Sequence, residues 1–175
     1  MKLSPVVSKY IVHWGEMGSR WGVNRTVAQI HALLYLSPEP LTADEIVETL
    51  SVARSNVSNS LRELMNFGLI KIVHKIGDRR DYFEAVQDIW ELFFIIIEER
   101  KRRELDPIMA GLESCAAEAD ADHALNEVTK SRIRTMHEFV QSIMQWYAEV
   151  REIPIPLMKK LVKMGSKVAK YAGKW

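Results

Sequence analysis

Residues 52–67 constrain more than any other stretch what this chain can fold into. Read at the helical period, Val57, Leu61, Leu64 and Met65 fall on one face. The first turns otherwise carry short amide and hydroxyl side chains between two arginines: Arg54, Ser55, Asn56, Ser58, Asn59 and Arg62. Serine and asparagine are mediocre helix formers, so a face that only meets water would normally use other residues. The composition favours a surface that reads base edges and phosphates in a DNA major groove over a merely solvated face.

The segments before this stretch complete a helix-turn-helix pattern. Thr42 and Glu45 form a capping box that starts a helix continuing to Leu50. A second helix follows after a short turn, and Gly68 marks its end. Two short helices in tandem, the second with a polar outer face, predict a helix-turn-helix. Another helix over residues 25–36 precedes the pair.

A β-hairpin is predicted directly after the second of these helices. Residues 69–76 and 82–86 are rich in β-branched and aromatic side chains and predict two strands joined by a turn. This hairpin is a wing, and its basic side chains are Lys75, Arg79 and Arg80. From residue 53 to residue 80, six basic residues face two acidic ones, a local net charge of +4 against +1 for the whole chain. The positive charge is concentrated where DNA phosphates would be met.

Apolar seams flank the winged unit on both sides. Tyr10, Trp14 and Trp21 belong to a 3-4-3-4 spacing typical of a coiled-coil helix, and a second seam runs through residues 136–150. A unit of this size cannot bury both, so we expect a homodimer. The fold class expected is mainly α with a small two-stranded β wing, a winged helix-turn-helix plus a helical dimerisation region. The expected divisions are an N-terminal dimerisation helix (1–24), the DNA-binding domain (25–86) and a C-terminal helical region (87–175).

The acidic residues, the cysteine and the apolar run outside the winged unit favour structural roles over catalysis or metal binding. Residues 118–123 carry three acids and a histidine, but their spacing matches no metal-ligand pattern, so an acidic loop over residues 116–124 is expected instead. No catalytic constellation stands out, and we expect no enzyme activity, no cofactor and no metal. The single Cys115 excludes an intramolecular disulfide and is expected to be a buried thiol in a reducing cytoplasm. The apolar run of residues 92–97 is too short to span a membrane.

The motifs resemble those of the MarR superfamily, and more narrowly of its GbsR-like branch. Residues 50–64 look like the recognition helix of that family, and residues 68–70 look like the junction between helix and wing. Asp78 and Arg80 resemble the Asp-x-Arg pair at the wing tip. The resemblance implies that the arginine enters the minor groove while the aspartate orients it. It also implies a homodimer, sequence-specific binding of double-stranded DNA and release by a small-molecule effector.

Two positions depart from the family pattern. Ser51 stands where many members have glycine, and Ala53 stands where they often have a capping serine or threonine. Loss of a cap typically costs ~1 kcal/mol. We therefore expect the start of the recognition helix to fray or to shift toward Ser55.

The effector implied by the GbsR-like resemblance is a quaternary ammonium compound such as choline or glycine betaine. Aromatic faces attract a methylated ammonium by cation–π interaction. The candidate rings are Tyr10, Trp14, Trp21, Trp90, Phe94, Trp146 and Tyr147. The alternative is that these rings simply form the core of the dimer.

Together the patterns predict a cytoplasmic regulator of transcription, a repressor that acts as a homodimer on an inverted repeat. The competing class is a protein-interaction module that uses a winged helix without binding DNA. An arginine-tipped wing and a Ser/Asn/Arg face favour the first class, because a protein partner is more often met by an exposed apolar patch.

Overall fold

The computed structural model of the protein describes residues 3–168, and its backbone contacts separate one unit ending at Ile97 from a second that starts at Glu98. The first unit begins with α1 (Pro5–Arg20), α2 (Arg25–Leu36), β1 (Leu41–Thr42), α3 (Ala43–Leu50) and α4 (Arg54–Asn66). It continues with β2 (Ile70–Val73) and β3 (Tyr82–Ala85), and α5 (Ile89–Arg100) crosses the boundary between the units. The second unit contains α6 (Asp106–Ala121), α7 (Glu127–Arg151) and α8 (Ile155–Met164).

Helix α2 is the centre of the first unit's core. Ile30, Leu33 and Leu34 are almost completely buried, and they pack with Ile46 of α3 and with the inner face of α4. That inner face consists of Val57, Leu61 and Leu64, as the helical period predicts. Each fully buried side chain of this size contributes on the order of 1.5–3 kcal/mol. The apolar side of α4 is therefore fixed inward and its polar side outward.

The capping box predicted at the start of α3 is confirmed. The Glu45 amide donates to Thr42 Oγ1 at 3.3 Å, and the Thr42 amide donates to Glu45 Oε2 at 2.7 Å. Because an N-cap residue has an extended backbone, Thr42 can also act as strand β1. The sheet consequently has three antiparallel strands in the order β1-β3-β2, one more than the predicted two-stranded wing. Strand β2 also ends at Val73 rather than at residue 76.

Both residues that depart from the family pattern, Ser51 and Ala53, lie in the turn between α3 and α4. Ser51 adopts the left-handed conformation with φ 53°, a backbone geometry that favours glycine. Ala53 occupies the N-cap of α4 and makes no side-chain capping bond. The helix nevertheless begins at Arg54, so the expected shift toward Ser55 does not occur. Burial of Val57 one turn later holds the first turn in place without a cap.

Helix α1 packs on α2 through Ile11 and two glycines, and of its aromatic seam Trp14 lies against His31 of α2. Ile11, Gly15 and Gly18 are the buried residues of α1. A Cβ atom added to Gly18 would lie 2.6 Å from the Cβ of Ala28, so the helices approach too closely there for any larger side chain. The seam residues Tyr10 and Trp21 remain 36% and 53% exposed. Part of the ring surface of Tyr10 and Trp21 is therefore exposed to solvent.

The second unit differs from the expected pattern in its first half. A π-helical segment, Lys101–Leu105, joins α5 to α6, which begins at Asp106 with Pro107 in its first turn. The loop expected over residues 116–124 is wrong for residues 116–121, because α6 continues to Ala121, and it is confirmed only for residues 122–124. Alanine and glutamate are good helix formers, and Ala119 is buried. Cys115, expected to be buried, is exposed on this helix.

The lysine-rich stretch with an apolar stripe over residues 157–171 predicts a last helix. In the structure, α8 is followed by a 3₁₀ turn over Gly165–Val168. Residues 169–171 of the predicted helix lie outside the described part of the chain. Among residues 3–168, no helix is both long and apolar enough to cross a bilayer.

A buried histidine lies in a ladder of rings between α1 and α2. His31 is 3% exposed, with ring centroids of Trp14 and Tyr35 at 6.2 and 6.3 Å, and Tyr10 stacks on Trp14 at 5.8 Å. Within residues 3–168, His31 Nε2 has no hydrogen-bond partner. Desolvation lowers the pKa of His31 from 6.5 to about 4. The neutral imidazole is therefore the form that the folded unit accommodates.

Acid should destabilise this unit through His31. Between pH 6.5 and pH 4 the His31 imidazole is protonated in the unfolded chain but stays neutral in the folded unit. The free energy of unfolding therefore falls as the pH falls, by roughly 3 kcal/mol over this range. Denaturant titrations across this range should show that His31→Phe lacks this part of the slope. His13→Gln, at an exposed position on α1, serves as the control and should retain the slope. An unchanged slope in His31→Phe would contradict the assignment.

Candidate nucleic-acid interface

Every predicted DNA-reading side chain of α4 lies on its outer surface. Val57, Ser60, Leu61 and Leu64 point inward and are buried. The exposed residues of the first three turns form what we call the reading face: Arg54, Ser55, Asn56, Ser58, Asn59 and Arg62. The burial of Ser60 at 4% exposure was not anticipated from the sequence.

Most of the reading face has no internal partner. Within residues 3–168, no side-chain hydrogen bond or ion pair ties down Ser55, Asn56, Ser58, Asn59 or Arg62. Arg54 is the exception, because its guanidinium forms an ion pair with Asp44 of α3. That pair joins the two helices of the helix-turn-helix. The amide and hydroxyl groups beyond it are free to bind an external polar surface.

The wing tip is organised around a closed hydrogen-bonded triad of Asp78, Arg80 and Tyr82. Arg80 Nη2 donates to Asp78 Oδ2 at 2.6 Å, and Arg80 Nε lies 3.0 Å from the same oxygen. The Tyr82 hydroxyl donates to Asp78 Oδ2 at 2.7 Å and accepts from Arg80 Nη2 at 2.8 Å. The Arg80 amide also donates to Asp78 Oδ1 at 3.0 Å. Asp78 and Arg80 thus lie together as the Asp-x-Arg resemblance implies.

The triad keeps both charged groups ionised. Hydrogen bonds from the Arg80 side chain, and then from its amide, hold the pKa of Asp78 well below its usual range. The hydrogen bond to Asp78 raises the pKa of Arg80 further above its usual value. The same carboxylate raises the pKa of the Tyr82 phenol. Glu45 of the capping box has a lowered pKa, chiefly from its bonds to Thr42, and Arg80 and Lys75 lower it further.

Two more cations lie at the wing loop, residues 74–81. Lys75 Nζ is 4.3 Å from the centroid of the Tyr82 ring, a cation–π distance. Arg79 is exposed and has no side-chain hydrogen bond or ion pair within the described residues. Ile76, expected in a strand, is instead fully exposed on the loop. Lys71 is neutralised by Glu84, its cross-strand neighbour, at 3.3 Å. The cations at the tip are therefore Lys75, Arg79 and Arg80, of which Arg80 is paired with Asp78.

Tyr82 is the functional candidate that the sequence did not reveal. An aromatic side chain at this position favours a strand, and the sequence alone predicts nothing more for it. A weak signal was present, because a tyrosine two residues after Arg80 at a strand start lies on the same side as Arg80. Only the folded wing shows that its hydroxyl reaches Asp78 four residues earlier.

The candidate effector rings are distributed over both units. In the first unit, Tyr10 and Trp14 belong to the ladder with His31. The rings of Trp90, Phe93 and Phe94 form a second group, with centroid distances of 6.4 Å between Trp90 and Phe93 and 5.6 Å between Phe93 and Phe94. Trp21 lies at the end of α1 and is half exposed.

In the second unit, Trp146 is 61% exposed on α7. The Tyr147 hydroxyl donates to Glu98 Oε2 at 3.1 Å, and Arg151 Nη1 donates to the same oxygen at 3.2 Å. Among residues 3–168, no group of three His, Cys, Asp or Glu side chains is placed to hold a metal ion.

Comparison with known proteins gives matches over the same region. The model of the MarR family matches residues 21–81. YvaV of Bacillus subtilis (strain 168) is 25% identical over 87 residues, which cover 50% of this chain and 49% of YvaV. The chain thus spans about half the length of that relative. The HTH-type transcriptional repressor GbsR of the same organism is 22% identical over 130 residues, 73% of this chain and 72% of GbsR.

A solved structure supports the fold. The crystal structure of a transcriptional regulator superposes with a TM-score of 0.59 at 22% identity, covering 83% of this chain and 95% of that one. The similarity to GbsR agrees with the GbsR-like resemblance of the motifs. The matched family region, residues 21–81, runs from the end of α1 to the wing loop. The similarity of this chain to the MarR family therefore lies in its winged helix-turn-helix.

Proposed function

We propose that this protein is a sequence-specific DNA-binding transcriptional repressor of the cytoplasm that acts as a homodimer. The observation that carries the proposal is the reading face of α4, whose amide, hydroxyl and guanidinium groups are exposed and mostly without internal partners. The N-terminal residues of a recognition helix contact base edges in the major groove. Repression is proposed because the relative GbsR is named a repressor.

The two parts of the interface have different roles in this proposal. Ser55, Asn56, Asn59 and Arg62 contact base edges and adjacent phosphates in the major groove, with Ser58 beside them. Lys75, Arg79 and Arg80 of the wing serve the minor groove and the backbone. Arg54 acts chiefly by holding α4 against α3 through Asp44. Base contacts specify the sequence, whereas phosphate contacts position the protein.

The homodimer is supported by an apolar stripe on α7. Met136, Phe139, Ile143 and Trp146 follow one another at the 3-4 spacing and are 53%, 60%, 44% and 61% exposed. Contiguous exposed apolar surface of this kind marks an interaction site, and a repeated 3-4 spacing suits another helix. The occupant we propose is the same stripe of a second copy, with the aromatic side of α1 contributing. Residues 1–24 and 87–175 are then the dimerisation regions.

Two-fold symmetry sets the form of the operator. The two reading faces of a dimer meet successive major grooves, so the operator is an inverted repeat with half-sites ~34–36 Å apart. A small molecule that favours a dimer with another spacing releases the DNA. We propose a quaternary ammonium compound for this role. The candidate rings are those named above, among which Tyr10 and Trp14 already stack.

The salt dependence of affinity for duplex DNA distinguishes this proposal from the competing class, a winged helix that binds only proteins. Neutralised phosphates release counterions, so binding to duplex DNA weakens steeply with salt concentration. A protein interface centred on the reading face would not show this dependence on duplex DNA. Affinity measured between about 50 and 200 mM salt decides between the two classes. Absence of salt-dependent binding on any selected duplex would overturn the proposal.

Asn59→Ala and Arg79→Ala should have different effects on DNA binding. Loss of a base contact costs about 1–3 kcal/mol and relaxes the preference at one base pair. Loss of a phosphate contact weakens all sequences and lowers the salt slope by about one. In a selection from random duplexes, Asn59→Ala should therefore change the selected sequence, whereas Arg79→Ala should keep it.

Matched controls for these two variants lie elsewhere on the chain. Asn66→Ala removes an exposed amide from the C-terminal end of the same helix, and Arg132→Ala removes an exposed arginine from α7. Both should bind and select as the unmodified protein does. Unchanged selection in Asn56→Ala, Asn59→Ala and Arg62→Ala together would remove the reading face from its role.

Phe139→Glu should convert the dimer to monomers. It places a charge in the middle of the α7 stripe, where burial of an unpaired carboxylate is strongly unfavourable. Sedimentation at micromolar concentration should show a dimer for the unmodified protein and a lighter species for the variant. Gln141→Glu, an exposed position on the opposite side of α7, should remain dimeric. A stable folded monomer of the unmodified protein would contradict the proposed dimer.

Choline and glycine betaine should change tryptophan fluorescence and release DNA. A desolvated cation–π contact is worth ~2 kcal/mol or more, and coupling of ~1–3 kcal/mol is typical for an effector. The ligands are titrated to millimolar concentration into the free protein and into its DNA complex, with unmethylated ethanolamine as control. If neither fluorescence nor DNA binding responds, the quaternary ammonium proposal is wrong, and the DNA-binding proposal is unaffected.

A further inference from the structure

We propose that Tyr82 is a positioning residue of the wing, which holds Arg80 and Lys75 in the orientation that contacts DNA. The inference rests on the proposed DNA-binding function and adds a residue to it. Tyr82 is 6% exposed and so does not itself present a surface to DNA. Its effect is exerted through the two cations beside it.

The hydroxyl of Tyr82 supplies the third side of the hydrogen-bonded triad. Asp78 and Arg80 alone would be an exposed ion pair, with side chains 26% and 61% exposed. Such pairs are weak and leave the long arginine many rotamers. Because the hydroxyl bonds both partners at 2.7 and 2.8 Å, any rotation of the guanidinium away from Asp78 breaks two contacts together. The arginine is therefore restrained before DNA arrives.

The ring of Tyr82 adds a second restraint. Lys75 Nζ lies 4.3 Å from the ring centroid, and the Arg80 guanidinium carbon lies 5.5 Å from it. The two cations come from opposite ends of the loop over residues 75–80. A single ring thus brings together charges that the chain alone would leave apart. Their mutual repulsion is offset by Asp78 and by the nearby Glu45.

Tyr82 can hold these groups because its own backbone is fixed. It pairs with Val73 of β2 on one side and with Thr42 of β1 on the other. Thr42 is the N-cap of α3, so the position of Tyr82 is tied to the helix-turn-helix. The orientation of the wing cations is consequently defined relative to the helix pair that carries the reading face. Preorganisation of this kind lowers the cost of ordering side chains on binding.

The alternative is that Tyr82 is only a core residue whose ring fills space. The two roles are separable, because Tyr82→Phe keeps the ring and removes only the hydroxyl. A packing role predicts no change in DNA affinity. A positioning role predicts a loss of affinity that depends on the presence of Arg80.

The test is a double-mutant cycle on a duplex selected by the unmodified protein. Affinities are measured for the unmodified protein, Tyr82→Phe, Arg80→Ala and the double variant at one salt concentration. Tyr82→Phe should bind roughly three- to tenfold more weakly, the range expected for one lost hydrogen bond. In the Arg80→Ala background the same substitution should change affinity less than twofold, because the guanidinium that the hydroxyl positions is gone and the ring beside Lys75 is kept.

Controls distinguish the possible failures. Tyr35→Phe removes another tyrosine hydroxyl from the same unit and should bind normally, and thermal unfolding should confirm that each variant is folded. Asp78→Asn repeats the cycle from the carboxylate side and should also lose its effect without Arg80. If the unmodified protein binds and Tyr82→Phe equals it, the inference alone is overturned. An equal loss with and without Arg80 would overturn it too, whereas no salt-dependent binding by the unmodified protein overturns the proposed function itself.

Discussion

The backbone pairing of Thr42 with Tyr82 connects the two halves of the winged unit. One residue caps α3 and the other begins the returning strand of the wing. Without this pairing the hairpin would be a two-stranded ribbon, which is marginally stable in water. With it, the sheet is closed on the helical core through Phe83 and Ala85, both buried. The wing loop thereby has a defined position relative to α4.

On helix α4, buried apolar side chains alternate with exposed polar ones at adjacent positions, and this division determines which side chains the helix presents outward. Val57 is completely buried while its neighbours Asn56 and Ser58 are exposed, so packing alone orients the reading face. The wing needs more than packing, because arginine and lysine are long and flexible. Its charges are ordered by a carboxylate and a tyrosine instead. Rigid backbone and restrained side chains together give the surface a defined arrangement of charge, as the proposed binding of DNA requires.

Helix α1 has small residues on the side that contacts α2 and aromatic residues that are partly exposed. Its small residues, Gly15 and Gly18, meet α2 at a distance that larger side chains would prevent. Its aromatic residues are left partly exposed, with Tyr10 and Trp14 continuing the ring ladder to His31. The same helix can therefore pack within the first unit and still offer a surface to the second copy that we propose. A coiled-coil spacing by itself does not say which of these partners it meets.

The sequence alone determined the helices, the capping box and the polar side of α4, because periodicity and capping are local properties of the chain. It also indicated the Asp78–Arg80 pair, whose members are two residues apart. Tertiary structure decided the rest. Strand β1 is too short to show alternation, the packing of Gly18 depends on Ala28 of another helix, and the role of Tyr82 depends on Thr42 forty residues earlier. Likewise α6 continues through residues expected to form a loop, because Ala119 is buried there. Such contacts join residues whose spacing along the chain carries no signal, so only the folded chain reveals them.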